Sequence, residues 1–229
     1  MQTITQFQLR NAMLAMMALA LYAEPTLAAG AKASPAKVAP KPTEKPSVNQ
    51  APVAALGDPQ KFVEGLYTRL NELSKATETL EQLHAKISGE LNGVVDYPEM
   101  AKLTLGEAKW TEINDEQKAT FTDLLKRMVN NTYVRKFKPG QAITITYGGT
   151  RKLDGAKVEV QSTIAVGKSS ADVHYKMQPI VGRWMVYDIL VDEASQVVTY
   201  RNSFKKILDR EGWGGLMSRM KKAADKKIS

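Results

Sequence analysis

Hydrophobic residues recur every three or four positions in two parts of the chain, residues 58–134 and 195–222. This spacing is typical of amphipathic helices, which bury one face and expose the other. The first stretch follows Asp58-Pro59, where an N-cap acceptor precedes a proline suited to the first helical position. The second begins at Ser195 and is interrupted at residues 212–215, so it predicts two closing helices. Further helical stretches begin near Leu80, Glu99 and Asn114.

Between these parts, apolar and polar residues alternate, as in antiparallel strands with one apolar face. The last alternating run is apolar on both faces, so we expect it to be central or covered on both sides. The order of elements predicts an α+β fold, in which N-terminal and C-terminal helices cover a twisted antiparallel sheet of about four strands. The predicted strands are residues 142–147, 158–166, 172–177 and 184–191. The turn signals between them are Gly148-Gly149, Asp154-Gly155, Gly167-Lys168 and residues 179–182.

The N-terminal part of the chain has no pattern of a folded domain. In residues 1–29, Arg10 precedes a short apolar run and small residues follow it, which is the pattern of a cleavable secretory signal peptide. The apolar run is shorter than a membrane span requires. Residues 30–56 are rich in Pro, Ala and Lys, which is typical of an extended tether without fixed structure. We therefore expect a signal peptide at 1–29, a tether at 30–56 and one folded domain at 57–229.

Composition narrows the class of protein further. The chain has 229 residues, of which 43% are hydrophobic, an ordinary balance for a globular domain. It has no cysteine, which excludes disulfides, thiol nucleophiles, cysteine-based metal sites and a cysteine-linked lipid anchor. The net charge of +8 favours anionic partners such as membrane surfaces or nucleic acid. The lysines are scattered and no arginine–aromatic cluster accompanies them, so we expect no nucleic-acid partner.

The sequence contains no pattern typical of catalytic or cofactor chemistry. Neither His84, on a predicted helix, nor His174, on the polar side of a predicted strand, has a partner at a metal-binding or catalytic spacing, so we interpret both as surface residues. The glycine runs lack the context of a phosphate-binding loop. Asp188 lies among apolar residues, where a structural carboxylate is more typical than a general acid, and we expect Arg201 to be its partner. We therefore expect no enzyme activity, no cofactor and no metal site.

Two ordered blocks of residues are specific enough to indicate a family. The first begins with residues 96–101, Asp-Tyr-Pro-Glu-Met-Ala, and extends to Tyr133. The second begins with residues 184–188, Trp-Met-Val-Tyr-Asp, and extends to Leu216. Together they resemble the MlaC family, the toluene-tolerance auxiliary proteins, over about residues 58–222. Ala194 in place of a usual glycine, and the position of Trp110, depart from the family pattern without removing the resemblance.

The resemblance implies a periplasmic phospholipid-binding carrier that acts as a monomer. Proteins of this family shuttle lipid between an outer-membrane lipoprotein complex and an inner-membrane ABC transporter complex, which maintains the lipid asymmetry of the outer membrane. The resemblance also implies an apolar pocket for acyl chains between the sheet and the helices. Periodicity alone favours a solid core, so the pocket is expected from the resemblance. The residues that we expect to line it are Met100, Leu103, Phe121, Leu125, Met128, Val160, Ile164, Val173, Tyr175 and Met177.

Other interpretations of the same residues stay open at this point. A specialised relative of the family would carry a different envelope lipid, such as a hopanoid. A small enzyme with a cone-shaped fold would use Asp188 and a tyrosine such as Tyr175 on a hydrophobic substrate. An envelope scaffold protein would have a solid core and use its tether to reach other components.

Overall fold

The computed structural model describes residues 56–75, 79–135, 137, 139–140 and 143–226. The expected signal peptide and all of the expected tether except Leu56 lie outside the described residues. In the described part of the chain, helices come first, an antiparallel sheet follows and a long helix closes the order. This order is the predicted α+β arrangement.

Five helices precede the sheet in the described residues, and each begins at a recognisable cap. Asp58 precedes the first, as predicted, and both Thr79 and Asn114 form capping boxes with a glutamine three residues later. Asp96 caps a helix that begins two residues earlier than expected, and Gly106, at a φ of 87°, ends it. The helices are α1 (Pro59–Lys75), α2 (Leu80–Val94), α3 (Tyr97–Leu105), α4 (Glu107–Glu112) and α5 (Asp115–Val134).

The sheet of the described residues has five strands in the order β1-β2-β3-β4-β5, and every neighbouring pair is antiparallel. Four of them are the predicted strands, and the fifth is a two-residue strand that the alternation did not reveal. The strands are β1 (Ile143–Lys152), β2 (Val158–Val166), β3 (Ser169–Ile180), β4 (Arg183–Val191) and β5 (Ala194–Ser195).

Two details of the sheet differ from the sequence prediction. Gly148-Gly149 does not separate two strands, because β1 continues through it to Lys152 with a bulge after Tyr147. Gly149 has a φ of 108°, which suits a bulge as well as a turn. β4 is buried on both faces over residues 184–188 as expected, but it is covered rather than central. Among the described residues, its far edge pairs only with β5 and, through a bridge at Val186, with Val95.

The closing helix α6 (Gln196–Ala224) contains the interruption that the glycines predict. Gly212 leaves the helical region, with a φ of 67° and a ψ of −169°, so the segment is two helices joined at a kink. Directly after the kink, the ring of Trp213 stacks on Phe121 of α5, with ring centroids 6.0 Å apart. Phe204, from the helix before the kink, meets the same Phe121 ring edge-on. The kink therefore lets both halves of α6 pack on α5.

Buried apolar residues form two clusters, one among the helices and one on the sheet. The helix cluster joins residues of α1, α2, α3, α5 and α6. The sheet cluster joins Val63 of α1 to residues of β2, β3 and β4. Phe62 and Tyr67 of α1 pack against both clusters, so α1 is the element that connects them. In the part of the chain that the structure describes, no helix combines the length and the apolar character that crossing a membrane requires.

Candidate functional site

The sheet has one face, called here the inner face, on which α1 lies. Hydrogen bonds fix α1 at both of its ends. Near its start, the Trp184 indole nitrogen donates to the carbonyl of Gly57 at 3.0 Å. Near its other end, the Asn71 side chain both donates to and accepts from the backbone of Ile143, the first residue of β1. Helix α1 therefore runs along the inner face from β4 to the start of β1.

Burial changes along this inner face. At one end the side chains are closed off by α1, and Val160 and Met177 have no exposed surface. At the other end the side chains are equally apolar but stay partly exposed. We call this second set the accessible apolar half of the inner face, because it presents hydrocarbon that the described residues do not cover. Its members are Ile145, Ile164, Val173 and Ile189.

Hydroxyl groups lie among these apolar side chains. The Tyr67 and Tyr175 hydroxyl oxygens are 2.7 Å apart and hydrogen-bond to each other. The Ser162 hydroxyl donates to the carbonyl of Val173 at 2.7 Å. The Tyr147 hydroxyl is buried and has no hydrogen-bond partner in the described parts of the chain. The inner face is therefore apolar with a small polar centre, a composition typical of a site for an amphipathic ligand.

Three tyrosines on the helices combine a desolvated hydroxyl with a partly accessible side chain. Burial raises the pKa of Tyr67 to about 12, with an opposing effect of its hydrogen bond to Tyr175. Burial also raises the pKa of Tyr133 on α5 well above its ordinary value, and it raises the pKa of Tyr200 on α6. All three side chains nevertheless keep some accessible surface. Their hydroxyls therefore lie in the protein interior, where the packing of the helices and the sheet removes them from water.

The ten predicted lining residues fall on the two sides of this interior. Val160, Tyr175 and Met177 belong to the sheet cluster, Val173 packs against it, and Ile164 belongs to the accessible apolar half. That any of the ten lines a pocket stays a prediction, and the remaining five belong to the helix cluster or pack against it. These five are Met100, Leu103, Phe121, Leu125 and Met128.

Sequence reasoning did not identify four tyrosines as candidate site residues: Tyr67, Tyr133, Tyr147 and Tyr200. Each of them lies at an apolar position of a correctly predicted helix or strand, so the pattern alone assigns it to an ordinary core. The signal available in the sequence was the tyrosine itself, because a hydroxyl placed on a buried stripe requires a partner. The register of α1 against the sheet, which brings Tyr67 to Tyr175, has no such local signal.

Asp188 is a buried structural group, but its expected partner was wrong. The Ser195 hydroxyl donates to the carboxylate at 2.7 Å and the backbone N–H of Val197 donates at 3.1 Å. The Lys176 ammonium lies 3.7 Å away. Arg201 instead donates to the carbonyl of Leu103 at 2.7 Å. The carboxylate thus ties β4 to the beginning of α6. The Ser195 hydroxyl, the Val197 N–H and the Lys176 ammonium, rather than Arg201, offset the cost of its burial.

The two histidines occupy different environments. His84 was expected on the surface but is 8% exposed, and its ring nitrogen lies 3.4 Å from the carbonyl of Phe137. His174 lies 3.5 Å from Glu159, a carboxylate on the opposite face of the sheet from the Val160 side chain. Burial alone raises the pKa of Glu159, but hydrogen bonds from Arg151 and Gln161 outweigh this effect and leave the pKa below its ordinary value. Glu159 is therefore the centre of an ion-pair cluster.

Together, these features define a class of α+β protein in which helices cover one face of an antiparallel sheet and the shared interior combines accessible hydrocarbon with a few hydroxyls. Comparison with known families agrees with this class. A family model described as MlaC protein matches residues 60–222, so the chain belongs to the MlaC family.

One solved structure illustrates the fold. It is the phospholipid-binding protein from Ralstonia solanacearum in complex with a phospholipid, with a TM-score of 0.59 and 21% sequence identity. The similarity covers 72% of this chain and 93% of that chain. It supports the α+β fold described above. A search of curated proteins found no significant match.

Proposed function

We propose that this protein is a periplasmic carrier that binds phospholipid without catalysing a reaction. In this proposal it moves lipid between an inner-membrane ABC transporter complex and an outer-membrane lipoprotein complex, and so maintains outer-membrane lipid asymmetry. The observation that carries the proposal is the accessible apolar half of the inner face, beside which the Tyr67 and Tyr175 hydroxyls form a hydrogen-bonded pair. Membership of the MlaC family and the phospholipid held by a protein of similar fold add support.

The physics of lipid transfer explains why such a protein is useful. A two-chain phospholipid exposes about 30 methylenes on leaving a bilayer, which at ~0.8 kcal/mol each costs on the order of 24 kcal/mol. A barrier of that size corresponds to escape at roughly 10⁻⁵ per second. A carrier lowers the barrier by offering hydrocarbon contact in place of the bilayer. It needs an apolar lining and a polar opening for the head group, and no reactive residues.

Several features fit this role better than catalysis. Asp188, the residue of the enzyme interpretation, has its carboxylate hydrogen-bonded by Ser195 and a backbone N–H, which suits an anchor more than a proton donor. The expected signal peptide at residues 1–29 supports export to the periplasm. The positive net charge favours approach to anionic membranes or acidic docking faces of partner complexes.

The test is to fill the accessible apolar half and measure the bound lipid. In Ile164→Trp, the added ring occupies space that the proposal assigns to an acyl chain. Overpacking of this kind costs about 1–3 kcal/mol, equivalent to roughly 5- to 150-fold in affinity. We expect the variant, purified from a Gram-negative host, to carry less phospholipid per protein than the wild type by mass spectrometry of an organic extract.

Thr163→Trp is the matched control, because Thr163 is the adjacent residue of β2 and points to the opposite face of the sheet. It should keep the wild-type amount of lipid. A wild-type extract without lipid, or equal loading in both variants, would contradict the proposal. An extract dominated by a hopanoid would instead assign the site to that class of lipid.

A further inference from the structure

Four side-chain hydroxyls form a group on the inner face, in surroundings that are otherwise apolar. Tyr147 of β1 lies directly opposite Ser162 of β2 in the strand register. Ser162 neighbours Tyr175, which hydrogen-bonds to Tyr67. We call Tyr67, Tyr147, Ser162 and Tyr175 the hydroxyl cluster. Buried hydroxyls are normally satisfied by a partner, and three of these four have one.

Tyr147 is the exception within the described residues. Its hydroxyl oxygen is buried and makes no hydrogen bond there, while the ring packs against the sheet cluster. Burial raises the pKa of Tyr147 to about 12, and the nearby Glu64 carboxylate and Tyr67 add to the effect. The phenol is therefore protonated at neutral pH and holds a hydrogen that it can donate. A buried donor without an acceptor is costly, so an acceptor supplied by a ligand would be bound favourably.

The surroundings restrict the chemistry of that acceptor. Glu64 disfavours a second negative charge near the Tyr147 oxygen, since it opposes ionisation of the phenol itself. A phosphate oxygen carries such a charge, whereas an ester carbonyl is a neutral acceptor. In a diacyl lipid the ester carbonyls lie at the junction of the hydrocarbon chains and the polar head. That junction matches the hydroxyl cluster, which borders the accessible apolar half at Ile145 and Val173.

We propose that the Tyr147 hydroxyl donates a hydrogen bond to an ester carbonyl of the bound diacyl lipid, and that the protein therefore selects ester-linked over ether-linked lipid. This inference rests on the proposed function and adds the residue that distinguishes ester-linked from ether-linked lipid. One hydrogen bond of ordinary strength corresponds to roughly a fivefold preference.

The experiment offers the full chain, stripped of lipid with detergent, a choice between two lipids in one vesicle. The vesicles contain equal amounts of dioleoyl phosphatidylglycerol and its dioleyl ether analogue, which share the head group and chain length. After the protein is separated from the vesicles, mass spectrometry gives the ratio of ester to ether lipid bound. We expect a ratio of about five for the wild type. In Tyr147→Phe, which removes only the oxygen, we expect a ratio near one.

Tyr187→Phe is the control, because the Tyr187 ring lies under the Lys157 ammonium, outside the hydroxyl cluster. It should keep the wild-type ratio. A wild-type ratio of one overturns the inference without the need for any variant. A Tyr147→Phe variant that binds both lipids less well, at an unchanged ratio, overturns it by assigning the acceptor to the shared phosphate. If the wild type takes up neither lipid, the proposed function itself is wrong.

Discussion

At the scale of single residues, two buried carboxylates of this protein each depend on specific hydrogen-bond and ion-pair partners. Glu159 is 2% exposed and depends on Arg151, Gln161 and His174 for compensation of its charge. Asp188 depends on Ser195 and a backbone N–H in the same way. Both carboxylates link neighbouring elements by specific polar contacts, in addition to the apolar packing between those elements. Their removal therefore affects stability more than exposed ion pairs do.

Glu159 makes the stability of the domain depend on pH. The pKa of its carboxyl in the folded state lies below the ordinary value of 4.5, because hydrogen bonds from Arg151 and Gln161 outweigh desolvation. The stabilisation is therefore complete above about pH 4.5 and is lost as the pH falls through the lower folded-state pKa. Glu159→Gln should lower the free energy of unfolding by about 1–2 kcal/mol at pH 7 and reduce the loss of stability on acidification.

Urea unfolding at pH 7 and pH 4 measures both effects. Asp209→Asn is the control, because Asp209 forms an exposed ion pair with Lys205 and such pairs contribute little. An equal acid loss of stability in Glu159→Gln and the wild type would show that Glu159 is not the group responsible.

Sequence reasoning at this scale found the buried carboxylate Asp188 but not its partner. An apolar neighbourhood along β4 is enough to indicate burial. The partner depends on the path of the chain after β4. The short β5 and the first turn of α6 place Ser195 and Val197 next to the carboxylate, so these two residues hydrogen-bond to it and Arg201 does not. Tyr147 shows the same limit, because its alternation predicts an inward side chain but not an unpaired hydroxyl.

At the scale of elements, caps and glycines determine where helices and strands begin, bend and end. Asp58 and Asn114 accept hydrogen bonds from the backbone at two helix starts that the sequence predicts. Asp96 does the same at a third start, which lies two residues earlier than the sequence predicts. Gly148-Gly149 was wrongly assigned to a turn between strands, because a β-bulge and a hairpin turn both accommodate a glycine with positive φ. Only pairing with β2, which is not local, distinguishes the two.

The kink of α6 provides a test of this reasoning. Gly212 has a φ of 67° and a ψ of −169°, a region that only glycine occupies readily. Gly212→Ala should therefore destabilise the domain by about 1–3 kcal/mol. Gly214 lies two residues further in the helical part, and a Cβ there meets no atom within 4 Å. Gly214→Ala should stabilise by about 0.5–1 kcal/mol, since alanine favours the helix.

Thermal unfolding of the two variants beside the wild type separates these effects. A Gly212→Ala protein as stable as the wild type would mean that the kink is not required, and that a continuous helix packs on Phe121 equally well.

At the scale of the whole molecule, the fold was predictable and the interior was not. The alternation of helical and strand periods gave the α+β order because each element must bury its own apolar face. Whether the inward residues of two facing elements meet or leave room depends on the distance between them, which no local period encodes. In the structure, Val160 is fully buried while Ile164, two positions along the same face of β2, is partly exposed. The expectation of a pocket comes from the resemblance to a family and not from the pattern.

The accessible apolar half should make the stability of the whole domain depend on its lipid. A ligand that binds only the folded state stabilises it by mass action, by about 2.7 kcal/mol at a concentration of 100 times Kd. For a domain of this size, that difference moves Tm by roughly 5–10 °C. Protein stripped of lipid should therefore melt at a lower temperature than protein as purified, and reloading from phospholipid vesicles should restore the original Tm.

Ile164→Trp separates a ligand effect from damage caused by detergent. The tryptophan ring fills part of the accessible apolar half. In this variant, the ring therefore covers apolar surface that lipid covers in the wild type. Its Tm should change less on stripping than that of the wild type, while Thr163→Trp, on the opposite face of β2, should show the full wild-type change. Equal losses of Tm in all three proteins would trace the effect to the detergent. If the Tm of the wild type does not change when lipid is removed, the inner face is stable without a ligand. Ile145, Ile164, Val173 and Ile189 would then not form a lipid-binding surface.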